Sequence, residues 1–149
     1  ILAFCLMPNH IHLLLKQLKE EGITLFLRKF NTSCASFLNK KYHRSGYVFQ
    51  GRFREVHIKT DNQLRAVFVY IHTNPAFLID KNWKEGKIKN PQEIIRYIEN
   101  YKWSSYPHYL GKVKNFSIND DLFSSIMKKE EWRSFINDWV EQKSHRTVL

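Results

Sequence analysis

The chain has few cysteines, few acidic residues for its size and no long apolar segment. Its 149 residues include two cysteines, Cys5 and Cys34, and both stand inside apolar stretches. We therefore expect buried free thiols in a reducing compartment, the cytoplasm, rather than a disulfide framework. No apolar run approaches the roughly 20 residues that cross a bilayer, so we expect no membrane function. A single domain of this length can bury a core without covalent cross-links.

The shortage of acidic residues leaves the chain strongly basic. Lysine and arginine number 24 against 14 aspartates and glutamates, which gives a formal net charge of +10. Such a charge favours a polyanionic partner, because binding releases counterions. Aromatic residues make up 15% of the chain and suit stacking on unpaired bases, although most aromatic residues in any domain belong to the core. Nucleic acid is the expected partner, and a surface of solvated lysines is the alternative.

Apolar periodicity and turn residues predict a mixed α and β chain. Two strands, Ile1–Leu6 and His10–Leu15, flank the turn Met7–Asn9 and are expected to pair as a hairpin. Helical spacing and capping residues predict three helices, a short strand, a basic linker and two amphipathic C-terminal segments. The helices are expected from Thr24 to about Tyr42, from Thr60 or Asp61 to Asn74, and from about Pro91 to Tyr101. The short strand is expected at 55–59, the basic linker at 81–89, and the two amphipathic segments at 118–127 and 132–140.

Two histidines at strand spacing form the first candidate site. Residues two apart in a strand point to the same face about 7 Å apart, so His10 and His12 can present two imidazoles to one metal ion. An H-x-H pair is a weak motif by itself, since two partly exposed strand histidines would give the same pattern. The pair therefore needs support from elsewhere in the chain.

A tyrosine and an asparagine on the second predicted helix can supply that support. Tyr70 and Asn74 are four residues apart and project from neighbouring turns of one side, just before the helix-ending Pro75. A phenol is a possible nucleophile, and a carboxamide oxygen is a possible third metal ligand. Two imidazoles and one amide oxygen leave positions open for phosphate and water. The alternative is that Tyr70 is a boundary aromatic that packs its ring and exposes its hydroxyl.

The ordered motifs of the chain closely resemble the single-tyrosine transposases of the HUH endonuclease superfamily, and most of all the REP-associated tyrosine transposases. The resemblance runs from about Ile1 to Gly111. It is carried by Leu6–Leu15 with its His-Ile-His core, Gln50–Phe53, the Tyr-Ile-His-Thr-Asn-Pro stretch at Tyr70–Pro75, Trp103–Tyr106 and Tyr109–Gly111.

The resemblance implies a function and a set of site residues. His10 and His12 would bind a divalent metal, Mg²⁺ or Mn²⁺, with Asn74 as third ligand and Tyr70 as nucleophile. Tyr70 would cleave and rejoin single-stranded DNA, including hairpin-bearing DNA, through a covalent 5′-phosphotyrosine link. Imidazole ligands suit manganese better than magnesium. Family members include both monomers and homodimers, so either state is expected.

The resemblance also implies a fold. It is an α+β ferredoxin-like sandwich, with a central antiparallel sheet and helices packed on it. Members have a further strand and helix before the segment that begins at Ile1, so the chain is expected to be truncated there. The transposase domain is expected at 1–111 and a helical C-terminal extension at 112–149. The extension is interpreted as a helical cap over the core.

Basic and aromatic residues between and around the two motifs are the candidate DNA contacts. Positive side chains would position phosphates and flat ones would stack on bases, although each could be a solvated or core residue. The set is Arg44, Tyr47, Phe49, Gln50, Arg52, Arg54, Lys59 and Arg65.

Three alternatives stay open at this point. His72 is either structural or in contact with DNA. A catalytically inactive or domesticated nucleic-acid-binding protein would keep the basic surface, and a zinc-dependent hydrolase could use His10 and His12 with another histidine such as His57. Tyr97 is rejected as the nucleophile because the residue four further on is Tyr101, which has no carboxamide.

Overall fold

The computed structural model describes residues 1–114 and 117–144. The chain divides into two compact units, one formed by Ile1–Leu14 with the described residues from Ile58 onward, the other by Leu15–His57. The elements are strands β1 (Ala3–Leu6) and β2 (Ile11–Leu14) and helices α1 (Gly22–Lys41), α2 (Asp61–Thr73), α3 (Pro91–Glu99), α4 (Tyr106–Tyr109), α5 (Asp121–Ile126) and α6 (Lys129–Ser144). Two short 3-10 helices, Asn74–Leu78 and Lys81–Glu85, follow α2.

The expected N-terminal hairpin is confirmed. Strands β1 and β2 pair antiparallel, and the register places Cys5 opposite His12. The Met7 amide donates to the His10 carbonyl at 2.8 Å and closes the turn between the strands. On the other edge of β1, Ser104 forms an isolated antiparallel bridge with Cys5. An antiparallel sheet with helices packed against it gives the expected α+β class.

Helix α2 forms where the sequence predicts it, and its capping explains why. The Thr60 side chain accepts a hydrogen bond from the Gln63 amide at 3.2 Å, and the Gln63 side chain accepts from the Lys59 amide at 2.8 Å. The apolar face buries Phe68 completely, together with Leu64 and Ile71. The helix ends at Thr73, and Pro75 leads the 3-10 helix that follows.

The core of this unit is centred on aromatic rings around Phe68. The Phe68 ring lies 4.2 Å from Trp132, 4.7 Å from Phe123 and 4.8 Å from Tyr109, measured between centroids. Trp132 belongs to α6 and Phe123 to α5, so the predicted C-terminal helices pack against the same core as the hairpin and α2. The boundary at Gly111 between a transposase domain and an extension stays a prediction.

A buried carboxylate connects α3 with α6. Glu99 is 6% exposed and accepts from Arg133 Nε at 2.7 Å and from Arg133 Nη2 at 3.0 Å. Lys112 Nζ adds a third contact at 3.2 Å. Burial alone would raise the pKa of Glu99, but the hydrogen bonds and charges of Arg133 and Lys112 outweigh burial and lower the pKa.

The unit Leu15–His57 contains α1 and the basic segment that follows it. The helix begins at Gly22 rather than at the predicted cap Thr24, because Glu21 adopts a left-handed conformation (φ 53°) and its carbonyl accepts from the Leu25 amide. Thr24 therefore lies inside the first turn. Phe26 and Phe30 stack at 5.9 Å on one side of α1.

The predicted strand at 55–59 is wrong. Within the described residues the paired sheet consists of β1 and β2, so this segment has no ladder partner. Its Val56 is 82% exposed, and the Lys59 amide bonds to the Gln63 side chain instead of to a strand. A strand-like composition does not produce a strand without a neighbouring edge.

The segment predicted as a linker at 81–89 begins with a 3-10 helix, Lys81–Glu85. The Asp80 side chain accepts from the Asn82 amide at 2.9 Å and caps a 3-10 helix, which buries Trp83 against Trp139 of α6. Both cysteines are free thiols, as expected, but the predicted burial is confirmed for Cys5 only, since Cys34 on α1 is half-buried. Burial raises the pKa of Cys5 to about 12. In the part of the chain that the structure describes, no helix has the length and apolar content to cross a membrane.

Candidate active site

The hairpin brings the two predicted metal-binding histidines together. His10 ends the turn and is exposed, whereas His12 lies on β2 and is partly buried. Their Nε2 atoms are 3.0 Å apart and the rings meet edge to face, with centroids 4.7 Å apart. The two imidazoles therefore face each other through their Nε2 atoms.

The end of α2 brings Tyr70 and Asn74 to the same place. The Tyr70 ring lies 5.2 Å from the His12 ring at an interplanar angle of 80°, and the residue is 56% exposed. Asn74, the first residue after α2, donates from Nδ2 to the Tyr70 carbonyl at 2.7 Å. Its carboxamide also lies close enough to His12 to raise the pKa of that imidazole. Because Nδ2 is directed to Tyr70, the amide oxygen is the atom left to face the histidine.

Electrostatics keep His12 in the form that binds metals. Burial lowers the pKa of His12, and the nearby His10 lowers it further, while the hydrogen bond to Asn74 opposes both without cancelling them. The His12 imidazole is therefore neutral at neutral pH. A neutral imidazole is the form that coordinates a cation.

The donor set fits a divalent metal. His10 and His12 would hold such an ion through Nε2, since these two nitrogens face each other at 3.0 Å and imidazole nitrogen is a donor that transition metals accept. The Asn74 carboxamide oxygen is a third donor of the kind that hard cations accept. Among the described residues no three His, Cys, Asp or Glu side chains cluster in a way that could hold a metal. The zinc-hydrolase alternative, which needs a third histidine, therefore gains no support.

Comparisons with known proteins identify the family of the chain. A family model described as "Transposase IS200 like" matches residues 1–74, a range that contains His10, His12, Tyr70 and Asn74. A Haemophilus influenzae protein named as a REP-associated tyrosine transposase is 34% identical over 133 residues, covering 80% of this chain and 71% of the relative. The chain belongs to the REP-associated tyrosine transposase family. No solved structure matches it.

In this transposase His72 is a core residue. It is fully buried, and its Nε2 lies 2.7 Å from Ser105 Oγ. The rings of Phe68 and Tyr106 pack against it at 4.2 and 5.3 Å. Burial lowers the pKa of His72 to about 3, so the ring stays neutral. The interpretation of His72 as structural is confirmed, and the alternative of DNA contact is wrong because DNA has no access to the side chain.

The other candidates lie in different places in the transposase. Tyr97 lies on α3 with its ring 5.8 Å from Tyr101 and packs against the core. Lys59 lies just before α2 and is exposed, and Arg65 lies in the first turns of α2 and is partly buried. The remaining DNA-binding candidates belong to the unit Leu15–His57, where Phe49 is half-buried and the others are exposed: Arg44, Tyr47, Gln50, Arg52 and Arg54. Their role in DNA binding stays a prediction.

Two residues with polar contacts at or beneath the site escape sequence reasoning. Asn9 Oδ1 lies 2.7 Å from His10 Nδ1, and the only signal for this contact is that the two residues are adjacent. Ser105 Oγ accepts from the Phe4 amide at 2.9 Å as well as contacting His72. No spacing in the sequence connects Ser105 with residue 72 or residue 4, because the contact depends on the folded arrangement.

Proposed function

We propose that this transposase cleaves and rejoins single-stranded DNA through a covalent bond between Tyr70 and a 5′-phosphate, with Mg²⁺ or Mn²⁺ held by His10, His12 and Asn74. The observation that carries the proposal is the convergence of the Tyr70 ring and the two facing imidazoles within one exposed cluster. A divalent cation bound there would supply Lewis-acid polarisation of a phosphate oxygen. Nitrogen ligands favour manganese over magnesium at such a site.

The reaction is a transesterification whose atoms balance without a cofactor that is consumed. The Tyr70 Oη attacks phosphorus, the bond from phosphorus to the 3′-oxygen breaks, and that oxygen leaves as a 3′-hydroxyl after taking up a proton. The phenol loses its own proton as the new bond forms. A 3′-hydroxyl of a second strand can attack the phosphotyrosine in reverse, which joins the strands and frees Tyr70.

The residues around Tyr70 orient this attack. The Asn74 side chain donates to the Tyr70 carbonyl and lies beside His12, so one side chain is next to both the proposed nucleophile and the histidine pair. The exposure of Tyr70 leaves its hydroxyl open to a single strand of DNA. A nearby site for the phosphate and a fixed nucleophile are what proximity catalysis needs.

Covalent trapping tests the proposal. A hairpin-bearing single-stranded oligonucleotide is incubated with protein and Mn²⁺, and the products are separated on a denaturing protein gel. Because the proposed link is to the 5′-phosphate, a label at the 3′ end of the DNA should migrate with the protein and a label at the 5′ end should not. Tyr70→Phe should reduce adduct formation at least about a thousandfold.

The matched control is Tyr97→Phe, which removes a hydroxyl from a tyrosine outside the cluster and should leave the adduct unchanged. Chelation of the metal should abolish cleavage, and added Mn²⁺ should restore it. A nuclease that is still active in Tyr70→Phe would contradict the tyrosine mechanism. DNA binding without any cleavage under these conditions would instead favour an inactive DNA-binding protein.

A further inference from the structure

We infer that Asn9 is a positioning residue for His10, whose carboxamide oxygen holds the imidazole in the tautomer that leaves Nε2 free to bind a cation. The part of the inference that concerns the cation rests on the proposed function. The part that concerns the tautomer does not, because it follows from one contact within the protein.

The contact is between Asn9 Oδ1 and His10 Nδ1, which are 2.7 Å apart. An amide oxygen can only accept a hydrogen bond, so Nδ1 of the ring must carry the hydrogen. A neutral imidazole has one N–H, and a hydrogen on Nδ1 therefore leaves a lone pair on Nε2. Asn9 thus selects between the two tautomers of His10.

The choice of tautomer matters because of where Nε2 points. His10 Nε2 faces His12 Nε2 at 3.0 Å, and the two rings meet edge to face. With its hydrogen on Nδ1, His10 accepts through Nε2 the hydrogen bond that His12 Nε2 donates. A shared cation would then need to displace the hydrogen of the His12 ring alone, because the lone pair of His10 Nε2 already faces the site. Hydrogen bonds to the second nitrogen of a metal-binding histidine commonly fix both the tautomer and the ring orientation.

A role in the turn alone does not explain Asn9. Asparagine is common in turns because its side chain bonds to a nearby backbone amide. Here the turn is closed by the backbone, from the Met7 amide to the His10 carbonyl at 2.8 Å, and the Asn9 oxygen goes to the ring. Asn9 is also exposed, so its replacement removes no core packing.

The tautomer can be measured directly in the protein without metal. Long-range proton–nitrogen NMR spectra at about pH 8, where imidazoles are neutral, identify which ring nitrogen carries hydrogen. We expect His10 to carry it on Nδ1 in the wild type and to shift toward the Nε2–H form in Asn9→Leu. Asn62→Leu, at an exposed asparagine in the first turn of α2, is the matched control and should not change His10. A wild-type His10 with its hydrogen on Nε2 would overturn the inference.

Calorimetric titration with Mn²⁺ alone provides the second measurement. Asn9→Leu should weaken Mn²⁺ binding about 10- to 100-fold, Asn9→Asp should retain it because the acceptor is kept, and Asn62→Leu should leave it unchanged. His10→Ala sets the scale for complete loss of one ligand. Unchanged affinity in Asn9→Leu, with a wild type that binds Mn²⁺, would refute the positioning role. A wild type that binds no Mn²⁺ would refute the proposed metal site, and the NMR spectra would then decide the tautomer by themselves.

Discussion

One hydroxyl group, that of Ser105, and one imidazole, that of His72, connect helix α2 with strand β1. Ser105 Oγ contacts His72 on α2 at 2.7 Å and accepts from the Phe4 amide of β1 at 2.9 Å. His72 lies between Tyr70 and Asn74 in sequence but faces the core, whereas those two residues face the histidine cluster. One turn of helix therefore holds its catalytic candidates on one side and its polar anchor on the other.

We predict that the His72–Ser105 bond contributes measurably to folding. His72→Ala and Ser105→Ala should each lower the free energy of unfolding by about 1–3 kcal/mol, because each leaves a buried polar partner without its hydrogen bond. In the double variant the two losses should fall short of additive by about 0.5–3 kcal/mol. Urea denaturation of the four proteins measures this coupling. Strictly additive losses would show that the two side chains act independently.

The sequence predicts the placement of Tyr70 and Asn74 but not the contact between His72 and Ser105. Spacing of four places Tyr70 and Asn74 on one side of a helix, and the family resemblance assigns their roles. The same spacing says nothing about the partner of His72, since Ser105 is 33 residues further along the chain. A contact of that kind follows from tertiary packing, which local periodicity does not contain.

At the scale of elements, the hairpin and α2 are predictable because their signals are local. A turn between two apolar runs and a Thr60 cap ahead of an apolar face define them within a few residues. The strand predicted at 55–59 fails for the opposite reason, because a strand exists only beside a partner. The sequence does not predict the 3-10 helix that buries Trp83, because the ring that packs against Trp83 is Trp139 of α6, more than 50 residues away.

The basic segment after α1 is the element on which DNA binding should depend. Arg52 and Arg54 are exposed, and Tyr47 is 95% exposed. We predict that Arg52→Ala and Arg54→Ala each reduce the slope of log affinity against log salt concentration by about 0.7 for single-stranded DNA, because each loses one phosphate contact. Tyr47→Ala should weaken binding by about 1–3 kcal/mol with the slope unchanged, because stacking involves no counterion.

Fluorescence anisotropy over a series of salt concentrations tests the segment. Arg96→Ala is the matched control, since Arg96 is an exposed arginine on α3 that is not among the DNA-contact candidates. The control should bind DNA with the slope of the wild type. Equal reductions in the control and in the segment variants would mean that net charge, rather than the segment, governs binding.

At the scale of the whole molecule, Glu99 connects α3 with the C-terminal helix. The pKa of Glu99 is lowered in the folded protein, so its pairing contributes stability at pH values above about 4.5, its pKa without the fold. That stability is lost as the pH falls through the lower folded value, because the carboxylate takes up a proton and the pairing with Arg133 and Lys112 weakens.

We therefore predict a Glu99-dependent fall in stability on acidification. Between about pH 5 and pH 3 the free energy of unfolding of the wild type should fall more steeply than that of Glu99→Gln, by less than about 1.4 kcal/mol per pH unit. Urea denaturation across this range gives both slopes. Glu130→Gln, at an exposed glutamate on α6, should follow the wild type. Identical slopes in wild type and Glu99→Gln would rule out the contribution of this carboxylate.

The packing of Trp132 on Phe68 has a consequence for when the protein can act. Phe68 lies on the inner face of α2, the helix that carries Tyr70, and the indole of Trp132 covers it. Tyr70 leaves the ribosome some 60 residues before Trp132. A nascent chain at that stage carries Tyr70, the proposed nucleophile, without the core that supports its helix. We expect cutting of DNA to begin only once α6 has left the ribosome, which ribosome-stalled chains with and without α6 would reveal by their yield of covalent adduct.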